Sequence, residues 1–350
     1  IMATIAEIKE LALHAAKGTA PANFSEKNVN DALRGEMAAM CGSINDFRRN
    51  QYDIFQIMIE TADEVVPPKV IARMGSFAEI KSVPQGTKAI FRKKLGKNRA
   101  KSFITRVGVS GVYETFRLDA EEYEVSVKAV GSAGTIDFER FLDGAESMAE
   151  IMEIIVEGLE DAAYIEVARC LMGSLNNVKR PAANQYIDSA FNAANLQKLV
   201  NTVKMYGDGA VIFAAPEFIA AMGPDAIVPP IAGVAQGIYA PDDIESIHNI
   251  GRIRIFRGCP IVEIPQGFVD ESNTSTWINP QFAYVFPAGR EKVVKFVFEG
   301  DTQMWLADNR DQSMEVYFYK KMGAAIHTFN NWGIYQNTGV ADTSAQPYGF

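Results

Sequence analysis

The 350-residue sequence predicts an α+β protein in which helices and strands occupy separate blocks. Three observations carry that prediction. The apolar period is helical from Ala3 to Asp63, changes to two between Gly86 and Val130, and becomes helical again over one long stretch, Gly144 to Met172. Strand patterns then dominate from Arg252 onward, and no βαβ rhythm connects them. Composition agrees with an ordinary folded chain: 48% of residues are hydrophobic, 22% charged and 10% aromatic. A chain of this length suggests about two domains.

In the N-terminal block, Ile5, Ile8, Ala12 and Ala15 recur at helical spacing, and Gly18 to Asn23 is a breaker segment containing Pro21. Ser25 is a candidate cap for a second helix. A third helix begins near Ser43, whose Ser-x-x-Asp pattern to Asp46 resembles a capping box. It carries Ile44, Phe47, Phe55, Met58 and Ile59 and is expected to stop at Pro67-Pro68. Next, Thr87, Ala89 and Phe91 alternate with Lys88, Ile90 and Arg92, and Tyr123, Val125 and Val127 alternate with Glu122, Glu124 and Ser126. These two runs read as a long two-stranded ribbon with Gly96 as a turn candidate. An isolated ribbon is marginal in water, so this one is expected to rest on another element.

Gly144 to Met172 is a helical pattern of 29 residues, about 44 Å long at 1.5 Å per residue. At 100° per residue, Glu146, Glu150, Glu153, Glu157, Glu160 and Asp161 fall within an arc of about 100°. Met148, Ile151, Met152, Ile155, Leu159, Ala162 and Ala163 lie opposite, so one face is core and the other an acidic stripe. Gly158, in the middle, suggests a bend or a close contact. Beyond Pro181 the pattern gives a helix at Leu196–Tyr206, a strand at Gly209–Ala215, a helix opened by Pro216, a loop at Ile227–Tyr239 and a short helix at Asp242–Ile250. Strands are expected at Arg252–Phe256, Pro260–Ile264, Thr276–Ile278, Ala283–Phe286, Lys292–Phe298, Met314–Tyr319 and Ala324–Phe329.

Charge is unevenly distributed. The net charge of -9 makes overall attraction to nucleic acid or an anionic membrane a poor expectation. Ile80 to Tyr113, however, holds nine basic residues and no acid, and Asp137 to Glu166 holds ten acids against Arg140 alone. Such asymmetry between segments points to a partner surface.

Little else suggests chemistry. The three cysteines, Cys41, Cys170 and Cys259, are too far apart in sequence for a CxxC pair, and no disulfide framework or zinc cluster is expected. No stretch approaches 18 apolar residues, and the amino end has no secretory apolar run. There is no GxGxxG opening a helix, no GxxxxGK[ST], no HExxH and no GxSxG. His14, His248 and His327 lie in three separate segments, and Tyr206-Gly-Asp-Gly reads as a turn. No cofactor, metal or catalytic residue is assigned, and the protein is not expected to be an enzyme.

The order of elements and four local sequences resemble the major capsid proteins of tailed phages with the Hong Kong 97 fold. The sequences are Tyr123 to Phe141 (YEVSVKAVGSAGTIDFERF), Gly258-Cys-Pro-Ile-Val-Glu-Ile-Pro, Ala283-Tyr-Val-Phe-Pro-Ala-Gly, and Lys321-Met-Gly-Ala-Ala-Ile-His-Thr-Phe-Asn-Asn-Trp-Gly-Ile-Tyr. The resemblance covers roughly residues 25 to 336, and its ordered set, more than any single motif, carries it. It implies an N-terminal arm at 1–65 and an extended E-loop at 86–130. A peripheral domain would comprise 66–85, 131–184 and 300–340, with a spine helix at about 138–175. The axial domain would be 185–299 and the C-terminal tail 341–350.

The resemblance further implies self-assembly into hexamers and pentamers of an icosahedral shell around double-stranded DNA, with the E-loop lying across a neighbouring subunit. Portal, scaffold and decoration proteins would be partners, DNA would be held non-specifically, no membrane would be involved, and the shell would assemble in the host cytoplasm and reside in the virion. The expected inter-subunit contacts are Lys88, Arg92, Lys93, Lys94, Lys97, Arg99, Lys101 and Arg106 on the E-loop. Glu146, Glu150, Glu153, Glu157, Glu160 and Asp161 on the spine helix of the next subunit would oppose them. Crosslinking between E-loop lysines and a late asparagine such as Asn309, Asn330 or Asn331 occurs in some members of the family. No matching motif surrounds these residues, so it is not carried over. A large N-terminal scaffolding segment is not evident in about 65 residues of arm, so the resemblance leads one to expect either its removal or a separate scaffold protein. Two other readings stand beside the phage shell: an encapsulin-type compartment on the same fold, against which the long arm and chain length argue, and an α+β enzyme with a site built from scattered residues.

Overall fold

The computed structural model describes residues 5–20, 25–93, 121–136, 148–177, 180–206, 209–222, 254–289, 292–308, 314–326 and 331–344. The chain opens with three helices, α1 (Ile5–Lys17), α2 (Glu26–Met40) and α3 (Ile44–Met74). Both expected caps form. The Ser25 hydroxyl accepts from the Asn28 N–H, and Ser43 accepts from the Asp46 N–H at 3.2 Å while donating to its carboxylate at 2.7 Å. Helix α3 does not stop at Pro67-Pro68; both prolines lie inside it. A proline inside a helix costs about 3 kcal/mol. Here the fully buried Val66, Val70 and Met74 continue the apolar stripe past the break, so packing overrides the local preference.

The strands form two main sheets. In the first, β1 (Ala78–Val83), β10 (Val294–Asp308), β11 (Met314–Ile326) and β4 (Lys128–Ile136) lie in the order β1-β10-β11-β4. The β1–β10 pair is parallel, and the other two are antiparallel. The second sheet has the order β5-β12-β9-β6-β8-β7, from β5 (Gln185–Asp188), β6 (Ala210–Ala214), β7 (Ile255–Phe256), β8 (Cys259–Glu263), β9 (Phe282–Pro287) and β12 (Gly333–Asn337). Residues 294–299 therefore belong to the first sheet, and the late strand 333–337 inserts into the second. A separate two-stranded ribbon pairs β2 (Ile90–Lys93) with β3 (Glu121–Glu124).

A 30-residue helix, α4 (Met148–Asn177), lies against α3 and the first sheet. Ile155, Val156, Leu159, Ala163, Tyr164, Val167, Ala168 and Leu171 join it to a core that also takes in α1, α2, α3 and one face of each sheet. The second sheet alternates cleanly. Phe213, Tyr284, Phe286 and Ile334 face that shared core. Ile212, Ala214, Ala283, Val285 and Tyr335 face the helices α5 (Ala193–Lys204) and α6 (Pro216–Ala221).

Several other expectations change. The two late strands are one, because Lys320 and Lys321, which interrupt the apolar pattern, are accommodated within the 13-residue strand β11. Strand β10 runs ten residues beyond Phe298, past a register shift between Glu299 and Gln303 that Gly300 permits with φ of +69°. Thr276–Ile278 contributes only isolated bridges at Thr276. Gly158 makes no close contact, since a Cβ there would meet no atom within 4 Å. Strands β1, β5 and β12 were not expected. The predicted loop at 227–239 and helix at 242–250 lie outside the described residues.

Candidate functional site

The root of the ribbon rests on the first sheet. Ala89, Phe91 and Val125 are buried there against Val297, with Val83 and Ala325 beside them. Phe91 stacks on its cross-strand partner Tyr123, ring centroids 5.8 Å apart. Its ring also lies 4.1 Å from the Lys81 ammonium and 5.6 Å from that of Lys295. Lys295, buried itself, forms an ion pair with Glu79, which Lys81 also approaches at 3.3 Å. Burial alone would raise the Glu79 pKa; the Lys295 hydrogen bond and the charges of Lys295 and Lys81 outweigh it and hold the carboxyl below its ordinary range. Ribbon and sheet are thus joined by an apolar contact framed by charges.

Two expected E-loop contact residues have partners inside the subunit. Lys88 meets Glu124 at 2.7 Å and Arg92 meets Glu122 at 2.8 Å, all four side chains well exposed. The same register sets Lys93 opposite Glu121. Strand β3 carries Glu121, Glu122 and Glu124 against the basic Arg92 and Lys93 of β2 and the neighbouring Lys88, so the two strands carry opposite charge and pair at the root. The Lys93 side chain and all of Lys94, Lys97, Arg99, Lys101 and Arg106 lie outside the described residues.

One member of the expected acidic stripe, Glu160, is turned inward. Glu146 lies outside the described residues, as does the side chain of Glu150. Glu153 and Glu157 are exposed on α4. Glu160 is not part of an open stripe: it is 8% exposed and paired to Arg73 of α3 at 3.1 Å, with Lys69 at 4.0 Å. The reason is the contact of α3 with α4, which turns that part of the helix face inward. Partial desolvation raises the Asp161 pKa; Glu160 and Glu157 add to the shift and Arg73 opposes it.

A second polar cluster went unnoticed in the sequence. Opposite Lys320, strand β10 carries the bulge residues Gly300 to Thr302, and both Lys320 and Thr302 turn to Asp63 of α3. Asp63 accepts from the Thr302 N–H at 3.0 Å and its hydroxyl at 2.6 Å. The arm is thereby bonded to the sheet through a buried lysine.

Among the described residues no group of His, Cys, Asp and Glu could hold a metal ion, and no helix is long and apolar enough to cross a membrane. Burial raises the three thiols, to about 12 for Cys41 and Cys170 and about 11 for Cys259, which suits packing more than nucleophilic attack.

Residues 6–336 match the family described as "SPbeta prophage-derived putative capsid protein YonB". The chain belongs to this capsid-protein family. No curated protein sequence matches it. Among solved structures, a phage-related protein from Bordetella bronchiseptica is similar at 12% identity and a TM-score of 0.50, covering 82% of this chain and 98% of that one. A subunit of the satellite phage P4 procapsid is similar at 12% identity and a TM-score of 0.49, over 83% of this chain and 92% of its own. The SrpI encapsulin of Synechococcus elongatus gives 15% identity and a TM-score of 0.44, over 82% and 92%. At such identities structural likeness speaks to fold alone, which is the Hong Kong 97 type. The family match carries the function: this is a phage major capsid protein, a structural component of the virion.

Proposed function

We propose that the protein forms the hexamers and pentamers of an icosahedral shell that encloses double-stranded DNA, and that it has no catalytic activity. The observation supporting this is the family match along 6–336 together with a charged ribbon root packed on the first sheet. In this reading the domain scheme is the arm 1–65, the E-loop 86–130, a peripheral unit around the first sheet and α4, and an axial unit around the second sheet. The basic excess of one ribbon faces carboxylates of the next subunit, among them Glu153, Glu157 and Asp161. Single exposed pairs contribute only about 0 to 1 kcal/mol, so a network is required. Portal and scaffold proteins join the assembly in the host cytoplasm, and DNA is held without sequence preference.

Electron microscopy of the purified protein tests the reading: closed shells are expected, and nuclease-protected DNA in particles from the natural source would distinguish a phage shell from a cargo compartment. A Lys93→Glu, Lys94→Glu, Lys97→Glu triple variant is expected to fold as a protomer and fail to assemble. Normal particles from it would refute the role given to the ribbon.

A further inference from the structure

The first sheet is unguarded along part of one edge. Strand β1 pairs with β10 from Val294 to Glu299, where its last residue, Val83, lies opposite Glu299. Pro84 follows, with no N–H to continue the ladder, and the chain turns away through Gly86 at a φ of +78°, whose N–H donates to the Glu299 carboxylate. From Gln303 to Asp308, β10 therefore pairs with β11 alone among the described residues. A groove of about 890 Å³ lies between this stretch and the helices α1 and α3. Edge strands of soluble proteins are ordinarily blunted by lysine, proline, a bulge or an inward charge. The bulge at Gly300 to Thr302 precedes this stretch. Within Gln303-Met-Trp-Leu-Ala-Asp there is no lysine, proline or glycine, and the four central residues are apolar. The opposite edge, β4, opens on Lys128 and holds Gly131 and Gly134, which weaken strand addition.

The unguarded stretch also ends an aromatic ladder. Trp305 is 47% exposed and stacks on Tyr317, its cross-strand partner in β11, with centroids 5.4 Å apart and planes 6° apart. Tyr319 meets the same indole edge to face at 5.6 Å. Side chains alternate between faces, so two copies of the stretch paired antiparallel keep like faces together when Trp305 lies opposite Trp305 of the second copy. That register sets Gln303 opposite Ala307 of the second copy and brings the two indoles to about 5 Å at Cβ. Resting on the capsid reading above, we propose that residues 303–308 of two copies pair antiparallel across a two-fold axis at Trp305. The two first sheets become one, and the ladder runs unbroken from Tyr317 through both indoles to Tyr317 of the second copy. A contact of this kind uses the same patch on both partners and closes after two copies, whereas neighbours within a hexamer or pentamer meet head to tail. The pairing therefore joins subunits of different capsomers.

Cysteine pairing on assembled full-length particles tests the register. A Gln303→Cys, Ala307→Cys double variant is expected to run as disulfide-linked dimers on non-reducing gels and no further, because both bonds reach the same second copy. Either single variant is expected to run as the monomer. Longer ladders, crosslinks from a single variant, or no dimer in shells that do form would overturn the proposal. Absence of shells from the unaltered chain would instead overturn the capsid reading beneath it. Trp305→Lys sets two ammonium groups opposite each other at the axis. It is expected to give free capsomers by analytical ultracentrifugation and no shells up to about tenfold the concentration at which the unaltered chain assembles, whereas Trp305→Phe assembles. Shells from Trp305→Lys at the wild-type concentration would count against the two-fold pairing.

Discussion

Replacing Asp63 by alanine should destabilise the protomer more than removing the lysine it holds. The Lys320 side chain is only 3% exposed, whereas that of Asp63 is 20% exposed. Loss of the carboxylate strands a buried ammonium, which costs about 3–5 kcal/mol, and frees the N–H and hydroxyl of Thr302 as well. Lys320→Met keeps most of the side-chain volume, and Asp63 retains both Thr302 bonds and some water, so its expected cost is about 1–2 kcal/mol. The sharper expectation is a sign: adding Lys320→Met to Asp63→Ala should restore stability, because the stranded charge disappears. Urea unfolding of unassembled protomer, followed by circular dichroism, measures all three variants. A double variant less stable than Asp63→Ala would refute the account, as would a single Asp63→Ala cost below about 1 kcal/mol.

The Glu79–Lys295 pair gives a pH dependence. Because the folded Glu79 pKa is lowered, its stabilising contribution is complete above the ordinary glutamate value of about 4.3 and is lost as pH falls through the folded value. Glu79→Gln should lower stability at pH 7 and flatten that acid limb in melts taken from pH 7 to pH 3. Gly323→Ala should prevent soluble expression or lower the melting temperature sharply, since a Cβ there would collide with the Ser126 backbone carbonyl. Trp332→Ala, at a fully buried ring that also carries the Arg180 guanidinium 5.1 Å from its centroid, should cost about 3–5 kcal/mol in denaturant titrations.

What the sequence made legible was whatever depends on local period and capping. The three arm helices, the long α4 and the alternation around Phe91 all follow from near neighbours in the chain. Helix α3 beyond Pro67 and strand β11 through Lys320 did not, because each depends on a partner far away: α4 for the first, Asp63 for the second. The candidate site divides in the same way. The basic run and the acidic stripe were visible as charge, but only strand register shows Arg92 opposite Glu122, and only the α3–α4 contact shows Glu160 turned onto Arg73. The run Glu121, Glu122, Glu124 was a usable signal, since acids on the return arm of a ribbon are placed to meet bases on the outgoing arm.

That distinction between charges used inside the subunit and charges left over bears on assembly. The N-terminal helices α1–α3 share one core with α4 and both sheets, and they are bonded to β10 and β11 through Asp63, to α4 through Arg73, and to one another through Lys9–Glu60 and Lys17–Glu64. Several of their ionic groups are therefore matched before any neighbour arrives, and the same holds for Lys88 and Arg92 at the ribbon root. Surplus base is concentrated in 94–120, and exposed acid on α4 at Glu153, Glu157 and Asp161. A subunit built this way can fold as a unit while keeping its uncompensated charges for surfaces that only another copy can complete, so attraction between subunits does not compete with folding within one.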